Sequence, residues 1–257
     1  MFEVAFAVPC YNEENRLDCE QVLCLAKEPG IHVVLVDDGS RDGTRRILED
    51  LAARSPRSVT ALALEANRGK AEAVRQGMNE AVRRGARFIG FADADFATPP
   101  DELVRIGRIA SEDDADVLMG ARIAMAGTDI QRHPSRHYLG RVFSTAASLA
   151  LDARFYDTQC GAKVFRNTPL FRAAIGTPFE SRWIFDVELL ARLLTGVDGQ
   201  RGLPFRAFRE VPLLRWTDVG HSRVRVRELT GVGKLLLRIA RRVRAHRALH
   251  TEHSPSA

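Results

Sequence analysis

The 257-residue chain has little of what marks secreted, membrane-spanning or nucleic-acid-binding proteins. Its four cysteines show neither the density of a disulfide scaffold nor the spacing of a zinc site, so we expect reduced thiols in a cytoplasmic protein. The N-terminal apolar run contains an acid at position 3 and a proline at position 9, which is wrong for a signal peptide. No uncharged apolar stretch reaches the roughly 18 residues that a membrane span needs. Aromatic residues make up only 7% and are sparse where bases would have to stack, so no nucleic-acid partner is expected.

Two nucleotide-binding motifs are also absent. Neither G-x-G-x-x-G nor a P-loop with Gly-Lys-Ser/Thr follows any predicted strand. Since these glycine-rich turns are what hold the phosphates of dinucleotides and of ATP, a dinucleotide oxidoreductase and an ATPase are disfavoured.

What is present is the composition of a water-soluble globular protein, with 45% hydrophobic and 28% charged residues, enough for one large domain or two small ones. The net charge is +5, but residues 201–247 hold thirteen Lys or Arg against three acidic residues. Such a basic segment attracts phosphate-rich partners: a nucleic acid, an anionic membrane surface or a phosphorylated substrate. The alternative is a solvated helical face that serves solubility.

The apolar pattern predicts an α/β fold, a doubly wound and mostly parallel sheet flanked by helices. Short apolar runs bounded by polar residues, Gly or Pro predict strands over residues 4–9, 31–36, 59–64, 88–91 and 116–119. Helical spacing lies between them, before Pro29, after Thr44 and after Pro99-Pro100. Because these strands are continuously apolar, we expect a parallel sheet buried on both faces over the first ~120 residues.

The second half of the chain follows a different pattern. We predict a loop over 123–134, helices over 135–151 and 183–194, strands over 162–165 and 208–214, and a basic amphipathic helix over 228–247. No Gly/Ser-rich linker separates the halves, so the second half is expected to complete the same domain. For the last helix, packing against the core and binding to a membrane surface are both open.

Acidic clusters follow three of the predicted strands. They are Pro9-Cys10-Tyr11-Asn12-Glu13, Asp37-Asp38-Gly39-Ser40 and Asp93-Ala94-Asp95. Because ligands of such sheets bind at the carboxyl ends of the strands, we expect one site at this edge.

Each cluster has a structural and a chemical interpretation. Asp93 and Asp95 can both reach one hard divalent cation, Mg²⁺ or Mn²⁺, which would hold a diphosphate, although such a pair is more often a turn or a helix cap. Asp37 and Asp38 can cap a turn, or they can bind the ribose hydroxyls or base edge of a nucleotide.

Taken in order, the motifs resemble the family 2 glycosyltransferases of GT-A fold. The motifs that carry this resemblance are Pro9-Cys10-Tyr11-Asn12-Glu13, Val36-Asp37-Asp38-Gly39-Ser40, Asn67-Arg68-Gly69-Lys70 and Asp93-Ala94-Asp95. Later segments, Gly120-Ala121-Arg122, Asp157 to Phe165 and Trp183 to Leu189, are similar to the polyprenyl-phosphate branch, nearest to dolichyl-phosphate β-glucosyltransferases and then dolichol-phosphate mannosyltransferases.

The resemblance implies roles for individual residues. Several residues match positions that, in the family, bind the nucleotide, the metal with the diphosphate, or other phosphates. They are Pro9, Tyr11, Glu13, Asp37, Asp38, Lys70, Asp93, Ala94, Asp95, Arg122, Arg136, Ser222 and Arg223. The sequence departs from the usual pattern at Ala71-Glu72-Ala73, at Gly161-Ala162 and at Ser222-Arg223. The last departure puts the acceptor contact in doubt, because a planar guanidinium replaces a compact ammonium.

The activity implied is an inverting, metal-dependent transfer of a hexose from a nucleotide-diphospho-sugar, with UDP-glucose expected, to a polyprenyl phosphate. Use of GDP-mannose, or of a hydroxyl acceptor on a glycan or small molecule, is the alternative. A hydroxyl acceptor would need a base, for which Asp186 and Glu188 are the candidates, although both could equally stabilise their helix. If the protein is not an enzyme, the alternative is a non-catalytic protein that binds a nucleotide or a nucleic acid.

The expected organisation follows from this resemblance. Residues 1–227 form a single GT-A domain, with a nucleotide-binding half over 1–122 and an acceptor half over 123–227. A basic helix over 228–248 and a disordered tail over 249–257 complete the chain. We expect a cytoplasmic protein, with peripheral attachment to the inner face of the cytoplasmic membrane as a further possibility.

Overall fold

The structure, a computed structural model, describes residues 3–132, 134–219 and 226–251. Its strands are β1 Val4–Cys10, β2 Ile31–Asp37, β3 Val59–Ala63, β4 Phe88–Phe91, β5 Val117–Ala121, β6 Asp129–Gln131, β7 Lys163–Arg166, β8 Phe208–Pro212 and β9 Arg215–Thr217. Its helices are α1 Cys19–Lys27, α2 Thr44–Arg54, α3 Lys70–Arg83, α4 Pro100–Glu112, α5 Pro134–Leu151, α6 Pro169–Gly176, α7 Phe185–Thr195 and α8 Val226–Thr251.

Seven strands form one central sheet in the order β3-β2-β1-β4-β7-β5-β8. Strands β1 to β4 are parallel, β7 runs antiparallel between β4 and β5, and β8 pairs in parallel with β5. The predicted fold class, a mostly parallel α/β sheet flanked by helices, is confirmed. Strands β1 to β5 come from the first half of the chain and β7 and β8 from the second, so both halves share this sheet.

The two faces of the sheet are both covered by helices, which explains the continuous apolar runs. Along β1, Val4, Phe6 and Val8 belong to one buried cluster, while Ala5 and Ala7 belong to another. This alternation follows the period of two in a strand. Helices α1, α2 and α4 contribute to the first cluster, and α3, α5, α6, α7 and α8 contribute to the second.

Some elements differ from the sequence predictions. The predicted loop over 123–134 contains β6, which pairs with β9 in a separate two-stranded sheet. Its residues are partly or fully exposed, so the strand lacks the apolar run by which buried strands are recognised. Helices α3 and α6 were not predicted, and α7 begins at Phe185 rather than at residue 183.

The last helix packs into the core. Leu235, Ile239 and Val243 of α8 are buried in the same cluster as residues of α5 and α7. The structure therefore favours the core-packing interpretation for its apolar side. The helix continues to Thr251, past the predicted start of the tail at 249. No helix in the described part of the chain is both long enough and apolar enough to cross a bilayer.

Candidate functional site

A cleft of about 1010 Å³ opens at the carboxyl ends of β1, β2 and β4. All three acidic clusters lie at this edge of the sheet, as the sequence predicts. The described side chains that line the cleft include Pro9, Tyr11, Glu13, Arg16, Asp38, Lys70, Asp93, Ala94, Asp95, Arg122, Arg132, Gln159, Arg182, Trp183, Asp186 and Trp216.

Asp93 and Asp95 follow β4 and differ in their electrostatic surroundings. The ammonium of Lys70, the first residue of α3, forms an ion pair with Asp93. Burial alone would raise the pKa of Asp93, but the Lys70 charge and hydrogen bond outweigh it and lower that pKa. Burial and the neighbouring negative charge of Asp93 instead raise the pKa of Asp95, whose carboxylate accepts a hydrogen bond from the Ala97 amide at 3.1 Å.

The position of Asp93 requires a glycine opposite it. A Cβ added at Gly161 would lie 2.3 Å from Oδ2 of Asp93, so a larger residue would have to displace this carboxylate. The sequence places Gly161 in a matched motif, but the reason for a glycine there is visible only in three dimensions.

The residues present fit a divalent cation that is shared with a substrate. The described residues contain no group of three or more His, Cys, Asp or Glu side chains placed to hold a metal ion. Mg²⁺ is commonly held by one or two carboxylates together with substrate phosphates, and Asp93 and Asp95 supply that number. Burial and the negative charge of Asp93 raise the pKa of Asp95, and a cation held by both carboxylates would relieve the repulsion between them.

Asp38 organises the loop that leads into α3. Its two carboxylate oxygens accept hydrogen bonds from the amides of Arg68, at 2.7 Å, and Gly69, at 2.8 Å. Gly69 has a φ of +95°, a conformation that favours glycine, and α3 begins directly after it at Lys70. Burial raises the pKa of Asp38. Asp37 does not line the cleft; it accepts a hydrogen bond from the Ser40 amide at 3.0 Å, as the turn interpretation predicts.

The segment after β1 is tied to the segment after β2. The Glu13 amide donates to the hydroxyl of Thr44 at 2.7 Å, and the Asn12 amide donates to that of Ser40 at 3.0 Å. Because these bonds join two loops at one edge of the sheet, they bring Glu13 and Asp38 into the same cleft.

The two candidate bases on α7 have different surroundings. Asp186 lines the cleft, where its carboxylate lies 3.5 Å from Nζ of the fully buried Lys163 and 3.3 Å from Nε2 of Gln159. Burial raises its pKa, and the Lys163 charge opposes that rise. Glu188 does not line the cleft; its carboxylate accepts hydrogen bonds from Arg192, at 2.7 Å, and from the Glu180 amide, at 2.9 Å. The structure thus favours the structural interpretation for Glu188.

Arg122 is held rigidly in the wall of the cleft. Its Nε and Nη2 donate to the two carboxylate oxygens of Asp157 at 2.7 and 2.8 Å, and its guanidinium lies over the ring of Trp216. Asp157 is oriented in turn by Glu210 of β8, whose carboxylate accepts hydrogen bonds from the backbone amides of Tyr156 and Asp157. Although burial opposes it, the Arg122 pairing lowers the pKa of Asp157 to about 2.

The Arg122–Asp157 pair predicts a pH-dependent stability. The pKa of Asp157 falls from 3.8 when unfolded to about 2 when folded, so the pair stabilises the protein above pH 3.8 and this contribution is lost as the pH falls towards 2. Asp157→Asn should lower the free energy of unfolding at pH 7 by about 2 kcal/mol and weaken this pH dependence. Urea unfolding between pH 7 and pH 2 measures both effects.

A matched control is Asp50→Asn, which alters an exposed ion pair with Arg54 and should change stability by at most about 1 kcal/mol. Equal losses for the two variants would contradict a special role for the buried pair.

Sequence reasoning missed several residues of the cleft and predicted some that cannot be placed. Arg132, Arg182 and Trp216 line it although no argument from the sequence selected them. Arg182 stands directly before a matched motif, which could have suggested it. Ser222 and Arg223 lie outside the described residues, as does the side chain of Arg136 on α5.

The comparisons with known proteins agree with this geometry. The chain is 34% identical over 232 residues to the dolichyl-phosphate beta-glucosyltransferase of Drosophila melanogaster, covering 79% of this chain and 70% of the relative. It is 27% identical over 188 residues to the polyprenol monophosphomannose synthase of Mycolicibacterium smegmatis, covering 73% and 70%. The glucosyl-3-phosphoglycerate synthase of Mycobacterium tuberculosis, crystallised with Mn²⁺, UDP and glucosyl-3-phosphoglycerate, shares the fold with a TM-score of 0.60 at 16% identity, covering 99% of this chain and 82% of that one.

The mostly parallel sheet, which this chain shares with that synthase, defines the fold as GT-A. The chain belongs to glycosyl transferase family 2, whose family model matches residues 5–173. The resemblance inferred from the motifs is therefore confirmed, and the protein is a sugar-transferring enzyme.

Proposed function

We propose that this enzyme transfers a hexose, glucose from UDP-glucose, to a polyprenyl phosphate with inversion at the anomeric carbon. The observation that carries the proposal is the pair Asp93 and Asp95 in the lining of the cleft, together with Lys70 and Arg122. Relatives named for dolichyl and polyprenol phosphate transfer support the choice of acceptor. Within a single domain, residues 1–122 would bind the donor and residues 123–227 the acceptor.

The donor would lie along the carboxyl ends of β1, β2 and β4. Pro9, Tyr11, Glu13 and Asp38 line the part of the cleft assigned to the base and ribose. Asp93, Ala94 and Asp95 would face the diphosphate, and the two carboxylates would hold Mg²⁺ or Mn²⁺ there. When bound, this ion supplies positive charge that stabilises the departing diphosphate.

The acceptor requires no base if it is a phosphate monoester, because its oxygen is already anionic at neutral pH. That oxygen forms the new bond to the anomeric carbon as the bond to the diphosphate breaks, so the released product is the nucleoside diphosphate. The rigid cation Arg122 would reduce repulsion between the two phosphorylated substrates. Arg136, Ser222 and Arg223 are proposed to act with it.

A hydroxyl acceptor is the second candidate, and one observation favours it. Asp186 lies in the cleft and its pKa is raised by burial, which are two properties of a general base. The close Lys163 ammonium, however, holds this carboxylate in an ion pair. An assay with both acceptor classes separates the two candidates.

The assay combines two donors with two acceptor classes. Purified enzyme would be given UDP-glucose or GDP-mannose with Mn²⁺, and either undecaprenyl or dolichyl phosphate or a panel of sugar alcohols. The proposal predicts glucosyl-lipid product from UDP-glucose and polyprenyl phosphate. Product from the sugar alcohols alone would establish the hydroxyl alternative, and nucleotide binding without turnover on any acceptor would favour a non-catalytic protein.

We also propose that an anionic membrane surface binds the protein at α5 and α8, which would place it on the inner face of the cytoplasmic membrane. Tyr138, Val142 and Leu149 on one side of α5 are 71%, 69% and 73% exposed. The exposed residues of α8 include several cations, and residues 231–248 contain no acid. An apolar stripe beside a basic helix is complementary to anionic lipid.

Because α8 packs into the core, point substitutions test this better than truncation. Val142→Asp with Leu149→Asp should reduce sedimentation with phosphatidylglycerol vesicles, whereas Met125→Asp, at an apolar residue 48% exposed in a loop, should not. Unchanged sedimentation of the double variant would refute the membrane role of α5.

A further inference from the structure

The ion pair between Lys70 and Asp93 occupies a carboxylate that a divalent cation would need. Lys70 is positioned by the start of α3, and the side chains of Lys70 and Asp93 are 30% and 34% exposed. The pair therefore lies in the wall of the cleft, within reach of a bound substrate.

The Asp93 carboxylate already has a cationic partner, the Lys70 ammonium. Asp95 accepts a hydrogen bond from the Ala97 amide at 3.1 Å. A free divalent cation would therefore have to displace Lys70 before it could use both carboxylates.

A donor diphosphate changes this balance. It brings negative charge into the cleft beside Lys70, and its oxygens can complete the coordination of a cation that the protein holds with only two carboxylates. The Lys70 ammonium, on a flexible four-carbon chain, can then pair with phosphate oxygens instead of Asp93.

From this geometry we propose that Lys70 is an internal counter-ion that keeps the divalent cation off Asp93 until a nucleotide diphosphate is bound. Metal and nucleotide binding are thereby coupled, and by linkage each raises the affinity for the other. The proposal rests on the proposed function, because it assumes a diphosphate donor and a metal at Asp93 and Asp95. Lys70 acts in it as a positioning residue that sets the order of binding.

The test measures Mn²⁺ affinity directly, by the electron paramagnetic resonance signal of free Mn²⁺, with and without UDP. The wild type, Lys70→Met and Arg68→Met would be compared. Lys70→Met keeps the length of the side chain and removes its charge. Arg68→Met removes a charge from the same loop at an exposed residue that does not line the cleft.

In the absence of UDP, Lys70→Met should bind Mn²⁺ at least about fivefold more tightly than the wild type, the lower end of usual coupling between two sites. Arg68→Met should match the wild type. Adding UDP should strengthen Mn²⁺ binding by a larger factor in the wild type than in Lys70→Met. Circular dichroism checks that Lys70→Met is folded. If it is not, Lys70→Gln is used in its place.

Equal Mn²⁺ affinity of the folded Lys70 variant and the wild type without UDP would overturn the counter-ion role, even if UDP strengthens both. That result would leave the metal-dependent transfer intact. If no Mn²⁺ binds to any of these proteins even with UDP, the assignment of a metal to Asp93 and Asp95 is wrong, and so is the metal dependence of the proposed function.

Discussion

Replacing Asp95 with Asn should reduce sugar transfer by roughly 10²- to 10³-fold, the usual cost of removing one group that stabilises developing charge. The fold should be unaffected. Asn preserves the shape of the side chain and an oxygen for the hydrogen bond from the Ala97 amide, which is 3.1 Å long. It removes only the charge that is proposed to hold the cation.

The stability of this variant gives an independent check. The folded pKa of Asp95 is raised, so its ionised form destabilises the protein without substrate, and this penalty grows as the pH rises through the normal range of a carboxyl group. Asp95→Asn should therefore be at least as stable as the wild type at pH 7. Loss of activity together with unchanged or increased stability is the expected signature of a functional residue, and thermal melting together with a transfer assay measures both.

Asp114→Asn is the matched control, because Asp114 is exposed and lies outside the cleft. It should leave the rate unchanged. Retained turnover of Asp95→Asn, or full turnover of the wild type in EDTA, would contradict the assignment of this carboxylate to the metal and diphosphate.

The largest loss of stability is expected from Arg192→Leu, which removes one partner of a buried ion pair. The Arg192 side chain is 8% exposed and donates to Glu188 at 2.7 Å. It also donates to the carbonyls of Ala174, Thr177 and Pro178 at 2.7 to 2.9 Å. Removing it would leave the Glu188 charge and these carbonyls without their donor, at a cost of about 3–5 kcal/mol in the free energy of unfolding.

Urea unfolding measures this loss. Arg83→Met is its control, because Arg83 pairs with Glu80 while its own side chain is 65% exposed, and the expected loss there is at most about 1 kcal/mol. Glu188→Gln decides whether Glu188 is a base: we expect lower stability but normal transfer per folded molecule. A folded Glu188→Gln enzyme that binds the donor and fails to transfer sugar would contradict this structural role.

Much of the central sheet was predictable because its strands are buried on both faces. Strands β1 and β4 read as unbroken apolar runs, and β2 is apolar apart from His32 and its last residue, Asp37. Polar residues lie at or directly after the carboxyl end of each of these strands. Elements with weaker patterns were missed. Strand β6 is three residues long and partly exposed, and the antiparallel placement of β7 between β4 and β5 depends on a pairing that no local pattern encodes.

The candidate site divides in the same way. Motifs located Asp38, Asp93 and Asp95, because residues at strand ends meet at one edge in a parallel sheet. No motif could distinguish Asp186 from Glu188, two residues apart on one helix. Their different roles arise from neighbours that lie elsewhere in the chain: Lys163 beside the first and the Glu180 amide beside the second.

By itself, the sequence determined the fold class, the family and the edge of the sheet where the acidic residues gather, because apolar period and the order of short motifs are local properties of the chain. Only the tertiary structure decided which charges are paired. Lys70 contacts Asp93 across 23 positions, and Arg122 contacts Asp157 across 35. Since such partners meet only when the strands that carry them are packed together, the electrostatic state of the cleft is a property of the fold.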